Sequence, residues 1–433
     1  MRQWMVAAKK ADFYVIAEKF HVDPVVARII RNREVIGEKN IRIYLGGNLS
    51  DLSDPHQMKD MDRLVEILAQ KIRKQVHIRI IGDYDVDGVT SSHLFLTALR
   101  RVGAKVDVVI PHRIQDGYGL SLHLLQQAKE DGVDTILTCD NGIAAIDEIA
   151  WAKAQKMTVL VTDHHAVPFE EHEGRRTEKK SLADAVVNPH QQDCGYPYKE
   201  LCGAGVAWNV IRVLYENYDM DKREAEDLLD FVAMATVCDV MSLTGENRIL
   251  VKEGLKRIRH TKNIGLQALM QACNVQPENI SAYHFGYVLG PCVNATGRLD
   301  TARHALRLFE TGQETEAEEI ARDLVDLNQE RKELTLQGVE MAKKLCEEGG
   351  YENDPVLVLF LPDVHESIAG LIAGRIREMY NRPVFVLTRG EEGVKGSGRS
   401  TENYSMYENM CGCAELFTKF GGHPMAAGLS LPE

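Results

Sequence analysis

A chain of 433 residues is too long for one compact core, so two or three domains are expected. The 44% hydrophobic and 27% charged residues read as an ordinary soluble globular protein, and no apolar run approaches the ~20 residues that a membrane-spanning helix needs. The net charge of −13 argues against a nucleic-acid binder, because phosphate contacts need Lys and Arg; it loses that force for an enzyme whose bound cations reverse the local field.

The first 75 residues read as mixed helical segments with a polar break at Gly46-Gly47-Asn48-Leu49-Ser50. The N-terminus shows no charged-then-apolar secretory pattern. From His77 onward strands and helices alternate. Strands are predicted at His77–Ile81, Val106–Ile110, Thr135–Thr138 and Val159–Thr162. Helices are predicted through Ser92–Leu96, over Leu120–Lys129 and over Ala144–Ala154. This alternation implies a doubly wound parallel sheet, whose ligands bind beyond the carboxyl ends of the strands. Ala204 to about Cys273 is largely helical, and Thr315–Glu347 is one long amphipathic stretch, expected to be a helix connecting two bodies. After Gly349-Gly350 a second α/β unit is predicted, with strands Val356–Phe360 and Val384–Leu387 around a helix Ile368–Tyr380, and with no further helix to complete it. The expected division is therefore 1–75, 76–313, 314–348 and 349–433.

The nine cysteines are odd in number and form no CxxC pair; Cys411 and Cys413 are too close for a zinc knuckle. Reduced thiols in a cytoplasmic protein are expected.

Three polar clusters fall just after predicted strands: Asp83-Tyr84-Asp85-Val86-Asp87-Gly88, Asp140-Asn141-Gly142 and Asp163-His164-His165. One Asp-rich turn is ordinarily a solvated loop or a helix cap. Three at successive strand ends would meet at one sheet edge. Carboxylates and imidazoles without thiolates suit Mn²⁺ or Mg²⁺. Two such ions about 3.5–4 Å apart can activate a water and clamp a phosphoryl group.

These clusters, in this order, resemble the first three motifs of the DHH phosphoesterase family, and Ala235-Thr236-Val237-Cys238-Asp239-Val240 resembles the fourth. Gly82–Ser91 has the form of the RecJ branch; Arg79 stands where many other branches carry a metal-binding histidine. Pro111-His112-Arg113-Ile114-Gln115-Asp116-Gly117-Tyr118-Gly119-Leu120, Asn294–Leu299, Gly396–Ser400 and Phe420–His423 are similar to further RecJ segments, and so are Leu52–Pro55 and Asp60-Met61. Two positions depart from the pattern: Cys292 follows Pro291 where an arginine is usual, and Asp363–Ile368 lacks a tryptophan before His365.

The resemblance implies a DHH catalytic domain (76–313) on which residues 1–75 pack, a connecting helix and a smaller DHH-associated substrate-binding domain. It implies Asp83, Asp85, Asp140, His164 and Asp239 as ligands of two divalent cations, Mn²⁺ preferred and Mg²⁺ possible, with Asp140 bridging. Asp85, Asp140, His164 and Asp239 would hold one ion, and Asp83 and Asp140 the other, which has fewer protein ligands because Arg79 is not histidine. Asp87 is a further ligand or a turn-closing acceptor, and His165 serves the substrate phosphate or supports the metal site. Arg113, Tyr118, Arg298, Ser397, Gly398, Arg399 and His423 are the implied substrate contacts, Arg113, Arg298 and Arg399 because a guanidinium fork fits phosphate. The implied activity is a 5′→3′ exonuclease on 5′-phosphorylated single-stranded DNA, acting in repair and recombination as a cytoplasmic monomer, with a single-strand-binding protein and a helicase as candidate partners. A phosphodiesterase for short or cyclic nucleotides and an inactive scaffold are the alternatives. The family usually carries an OB-fold beyond the second domain, so a catalytic-core fragment is expected.

Overall fold

The computed structural model describes residue 9 and residues 11–432, apart from 114, 115, 173, 174, 352, 353, 391 and 392. The expected contacts of Ile114 and Gln115 lie outside the described residues. Two compact units emerge: Met1–Gly297 with Thr301–Arg322, and Arg298–Asp300 with Asp323–Glu433.

The first unit opens with helices α1 (Phe13–Phe20), α2 (Pro24–Asn32), α3 (Glu38–Gly46) and α4 (Met61–Arg73). Asp12 and Asp23 cap α1 and α2 by accepting hydrogen bonds from backbone amides. The sheet follows in alternation: β1 (Ile78–Ile81), α5 (Val86–Arg101), β2 (Val106–Val109), α6 (Leu122–Glu130), β3 (Thr135–Cys139), α7 (Ile146–Ala154), β4 (Thr158–Thr162), a polar hairpin β5 (Phe169–His172) and β6 (Arg175–Glu178), and β7 (Ala185–Val187). The five-stranded sheet has the order β2-β1-β3-β4-β7, and every pair in it is parallel. Residues of β1 and β3 are buried throughout, because helices cover both faces of a parallel sheet. Leu124, Leu125, Ala128, Ile149 and Ala152 from α6 and α7 pack on Ile136, Val159 and Val161. The other face meets α5 and α8 (Gly203–Asn217).

Helices α9 (Lys222–Glu226), α10 (Leu229–Cys238), α11 (Gly245–Arg257), α12 (Ile264–Ala272) and α13 (Ala282–His284) lead to a π-helical turn, Phe285–Leu289, and to α14 (Gly290–Leu299) and α15 (Arg303–Glu310). Helix α16 runs unbroken through 35 residues, Glu314–Glu348.

In the second unit, β8 (Leu357–Phe360), α17 (Glu366–Tyr380), β9 (Val384–Gly390), β10 (Gly393–Arg399), α18 (Met406–Cys411), β11 (Lys419–His423) and β12 (Ala426–Leu431) follow. The sheet order is β11-β12-β10-β9-β8, with only the β8–β9 pair parallel. Val339, Ala342 and Cys346 of α16 and Ile368, Ile372 and Ile376 of α17 bury one face. Met406 and Met410 pack on the other beside Phe385 and Leu429. A helix after Leu387 was not expected, and α18 corrects that reading. Its six residues are too few for a periodic signal, and it forms because the two methionines cover the sheet. Among the described residues no helix is long and apolar enough to cross a membrane.

Candidate active site

The order β2-β1-β3-β4-β7 makes the chain leave β1 toward one edge and return on its other side at β3, a topological switch point. The loop carrying Asp83 and Asp85 leaves β1, Asp87 lies in the first turn of α5, Asp140 follows β3, and His164 and His165 follow β4. Asp239 arrives separately, as the residue that closes α10. Asp140 holds a left-handed φ of 62°, a strained conformation for a residue other than glycine, and strain of this kind gathers at functional sites. Two close approaches need glycine. A Cβ on Gly88 would lie 2.5 Å from the Asp83 backbone, and one on Gly203 would lie 2.6 Å from Asp140 Cβ.

Three sets of side chains bring ligand atoms within 4.8 Å of one another: Asp83, Asp85 and Asp140; Asp87, His164 and Asp239; Asp140, His164 and His165. Asp140 thus joins two sets. The partition differs from the expected one, because Asp87 rather than Asp85 stands with His164 and Asp239. Asp85 is the N-cap of α5, with its carboxylate turned back to accept from Gly88 N at 3.0 Å.

The donor set fits divalent cations. Asp140 Oδ1 and His164 Nε2 are buried and have no hydrogen-bond partner, although they lie 3.0 Å apart. Two ligand atoms aimed at one point have that relation: adjacent octahedral ligands at about 2.1 Å from a shared cation are about 3 Å apart. The charges agree. Burial, then Asp85, raises Asp83 well above the usual carboxylate range; burial, then Asp87, does the same for Asp140. Burial and Asp85 push Asp87 up to about 7, and burial and Asp87 push Asp239 up to about 8. These carboxylates cannot all ionise together without positive charge between them. Burial, aided by His165, holds His164 down at about 4, so its imidazole is neutral and able to ligate. For His165 burial opposes the charge, but the Asp163 hydrogen bond and charge outweigh it and carry the pKa up to about 9.

A supporting shell fixes these groups. Asp163 accepts from Ile143 N (2.8 Å), His164 N (2.7 Å), His165 N (3.0 Å) and His165 Nδ1 (2.8 Å). Asn141 Nδ2 donates to Ile81 O and Cys139 O, tying the β1 and β3 ends together. Asp87 does not close its own turn. Its carboxylate accepts from Gly203 N (2.6 Å) and Ala204 N (2.7 Å) at the positive end of α8. The Tyr118 hydroxyl donates to Asp140 O at 3.0 Å and lies 3.1 Å from His165 Nε2. Arg113 lies over the Tyr84 ring, 4.7 Å from its centroid. Arg79 is buried and spent elsewhere: it grips Asp107 on β2 (2.7 and 2.9 Å) and Asp131 (2.8 Å).

In the second unit, Ser397, Gly398 and Arg399 lie on β10, and His423 ends β11. Arg399 and His423 both register with Ala426 of β12, so they flank one residue. A Cβ on Gly370 would lie 2.7 Å from Arg399 Nη2; the bare glycine seats the guanidinium on α17. Arg298 Nη1 donates to Ser367 O at 2.6 Å. Reading the sequence alone assigned no task to Asp163, Asn141, Gly203 or Asn294, whose Oδ1 accepts from Val86 N at 3.2 Å. Asp163, Asn141 and Asn294 stand inside family-like motifs; for Gly203 the only signal is the small-residue run Gly203-Ala204-Gly205.

Sheet order, carboxylate cluster and mixed second sheet fit the fold class of the DHH phosphoesterases. Comparison with known families agrees: "DHH family, N-terminal domain" matches residues 77–236 and "DHHA1 domain" matches 353–433. The single-stranded-DNA-specific exonuclease RecJ of Haemophilus influenzae is 36% identical over 428 residues, covering 95% of this chain and 72% of that protein. The crystal structure of Thermus thermophilus RecJ in complex with Mn²⁺ matches with a TM-score of 0.80 at 29% identity, covering 97% of this chain and 58% of that one. The same protein's Mg²⁺ complex matches with a TM-score of 0.74 at 28% identity, over 97% and 56%. The chain thus spans little more than half the length of the Thermus chain. It belongs to the RecJ family.

Proposed function

We propose that this chain hydrolyses single-stranded DNA from its 5′ end to mononucleotides, using two divalent cations, with Mn²⁺ preferred and Mg²⁺ accepted. The observation that carries the reading is Asp140, a strained, buried carboxylate shared by two ligand sets at the switch point of the sheet. Asp83, Asp85, Asp87, Asp140, His164 and Asp239 hold the ions. Bound there, the cations supply an activated water and neutralise the phosphoryl oxygens. The chain's own groups do the rest. Neutral His164 offers a lone pair. Asp87 anchors α8 so that Gly203 stays against Asp140. His165, turned by Asp163, presents its outer nitrogen to a substrate oxygen beside the Tyr118 hydroxyl. Arg113, stacked on Tyr84, offers its donors to a backbone phosphate.

In this reading residues 76–313 are the catalytic domain, 1–75 pack on it, 314–348 connect, and 349–433 bind substrate. Ser397, Gly398 and Arg399 take the 5′ phosphate, with His423 beside them and Arg298 on a neighbouring phosphate. The protein acts as a cytoplasmic monomer in repair and recombination, with a helicase and a single-strand-binding protein as partners. Digestion of end-labelled DNA with Mn²⁺ or Mg²⁺ tests this. Single strands should yield 5′ mononucleotides, and blunt duplex, being stiff, should be cut at least about tenfold more slowly. Equal rates on the two would overturn the assignment.

A further inference from the structure

The segment that carries Asp239 also presents apolar surface to solvent. Val240, the next residue, is 86% exposed and holds a φ of 57°. A β-branched residue adopts that conformation only under constraint. The constraint is the end of α10, where Val240 N donates to Val237 O and Met241 N to Thr236 O, a stop at which glycine is the usual residue. Valine stands there with its side chain in solvent.

The π-turn Phe285–Leu289 packs on this same stop. Cys238 Sγ lies 3.3 Å from Phe285 O. A Cβ on Gly290 would come within 2.3 Å of Cys238 Sγ, and one on Gly286 would touch Val237 at 3.4 Å. Gly286 sits between Tyr283 and Tyr287. Those two rings stack on each other, centroids 5.1 Å apart and planes 25° apart, yet the residues are 62% and 72% exposed. Lone exposed aromatics are ordinary. A preformed stack, joining α13 to a π-turn locked to the segment that carries Asp239, is a different object, because π-turns gather at functional sites.

We propose that Tyr283 and Tyr287, on a segment packed against the helix end that carries Asp239 and Val240, form a ledge on which bases of the substrate strand stack next to the phosphodiester held at the carboxylate cluster. The proposal rests on the single-strand nuclease reading. Bases are the fitting occupant because the turn packs on the helix end that carries Asp239, a member of the carboxylate cluster. Aromatic faces accept any base without reading sequence, as a nuclease of general specificity requires.

The test compares a 5′-phosphorylated oligothymidylate with the same strand carrying abasic sites at its second to sixth positions, in Mn²⁺. The protein should prefer the base-bearing strand by about tenfold or more in kcat/KM, through KM. In Y283A/Y287A that ratio should collapse toward one, and in Y283F/Y287F, which keeps both rings, it should return. Thermal melting confirms that each variant is folded. A double alanine variant that keeps the original ratio overturns the ledge while leaving the nuclease reading intact. Failure of the unmodified protein to cut either strand overturns the nuclease reading itself, and the ledge with it.

Discussion

Gly203→Ala tests the packing that holds the site together. The new Cβ would lie 2.6 Å from Asp140 Cβ, and ordinary contacts start at 3.4 Å, so α8 and Asp140 must separate by about 1 Å. Alanine inside a helix gains up to about 1 kcal/mol over glycine; overpacking costs about 1–3 kcal/mol. The clash therefore wins, and a fall of a few degrees in melting temperature is expected. Activity should suffer more. Asp140 belongs to two ligand sets, and a misplacement of about 1 Å in a catalytic constellation can cost about 10²-fold. Gly205→Ala is the control. It lies on the same helix, but its Cβ would meet Leu201 at an ordinary 3.4 Å, so it should be neutral or slightly stabilising and keep full activity. The assay is kcat/KM on a labelled single strand in saturating Mn²⁺, with melting followed in parallel. If G203A cuts within twofold of G205A, the close approach of α8 to Asp140 does not govern the site.

Asp140→Ala should abolish hydrolysis while the protein still melts cooperatively, and it should weaken Mn²⁺ binding measured by calorimetry; full activity would sink the shared-carboxylate reading. Arg399→Ala should reduce the preference for a 5′ phosphate over a 5′ hydroxyl by about tenfold or more, since a charge-assisted hydrogen bond contributes about 1.5–3 kcal/mol; an unchanged preference places the anchor elsewhere. Stability of the chelator-treated protein should fall as pH rises from 6.5 to 9. Asp87 at about 7, Asp239 at about 8 and His165 at about 9 all titrate above their ordinary values, so the folded chain holds protons that the unfolded chain has lost. His93, held down at about 3 by burial, acts only below that window. Each differential proton changes stability by about 1.4 kcal/mol per pH unit, and Mn²⁺ should raise the melting temperature more at pH 8.5 than at pH 6.5. A melting temperature that climbs with pH in chelator contradicts the buried carboxylate cluster.

The central strands β1, β3 and β4 were legible because strands buried on both faces read as continuous apolar runs. The three-residue β7 and the charged hairpin β5–β6 carry no such run. In the second unit β10 reads Gly-Val-Lys-Gly-Ser-Gly-Arg and β11 reads Lys-Phe-Gly-Gly-His. Glycine weakens the local preference, and these strands exist because ladder hydrogen bonds from β9 and β12 hold them.

The sequence by itself determined which chemistry was available. Aspartates and histidines placed immediately after buried strands, with no thiolate among them, already specify hard-cation ligands at a sheet edge. The amphipathic run Glu314–Glu348 likewise determined one long helix, since its periodicity is local. Tertiary structure alone decided which carboxylates gather with which histidines. Asp85 and Asp87 are two residues apart, yet one turns back on its own helix end and the other reaches the amides of Gly203 and Ala204. It also decided that Arg79 is spent on Asp107 and Asp131, and that the turn starting at Phe285 packs against Cys238, the neighbour of Asp239. Residue types and short spacings act within a few bonds and can be read along the chain, whereas strand order, helix-end contacts and burial join residues more than a hundred positions apart and exist only once the chain has folded.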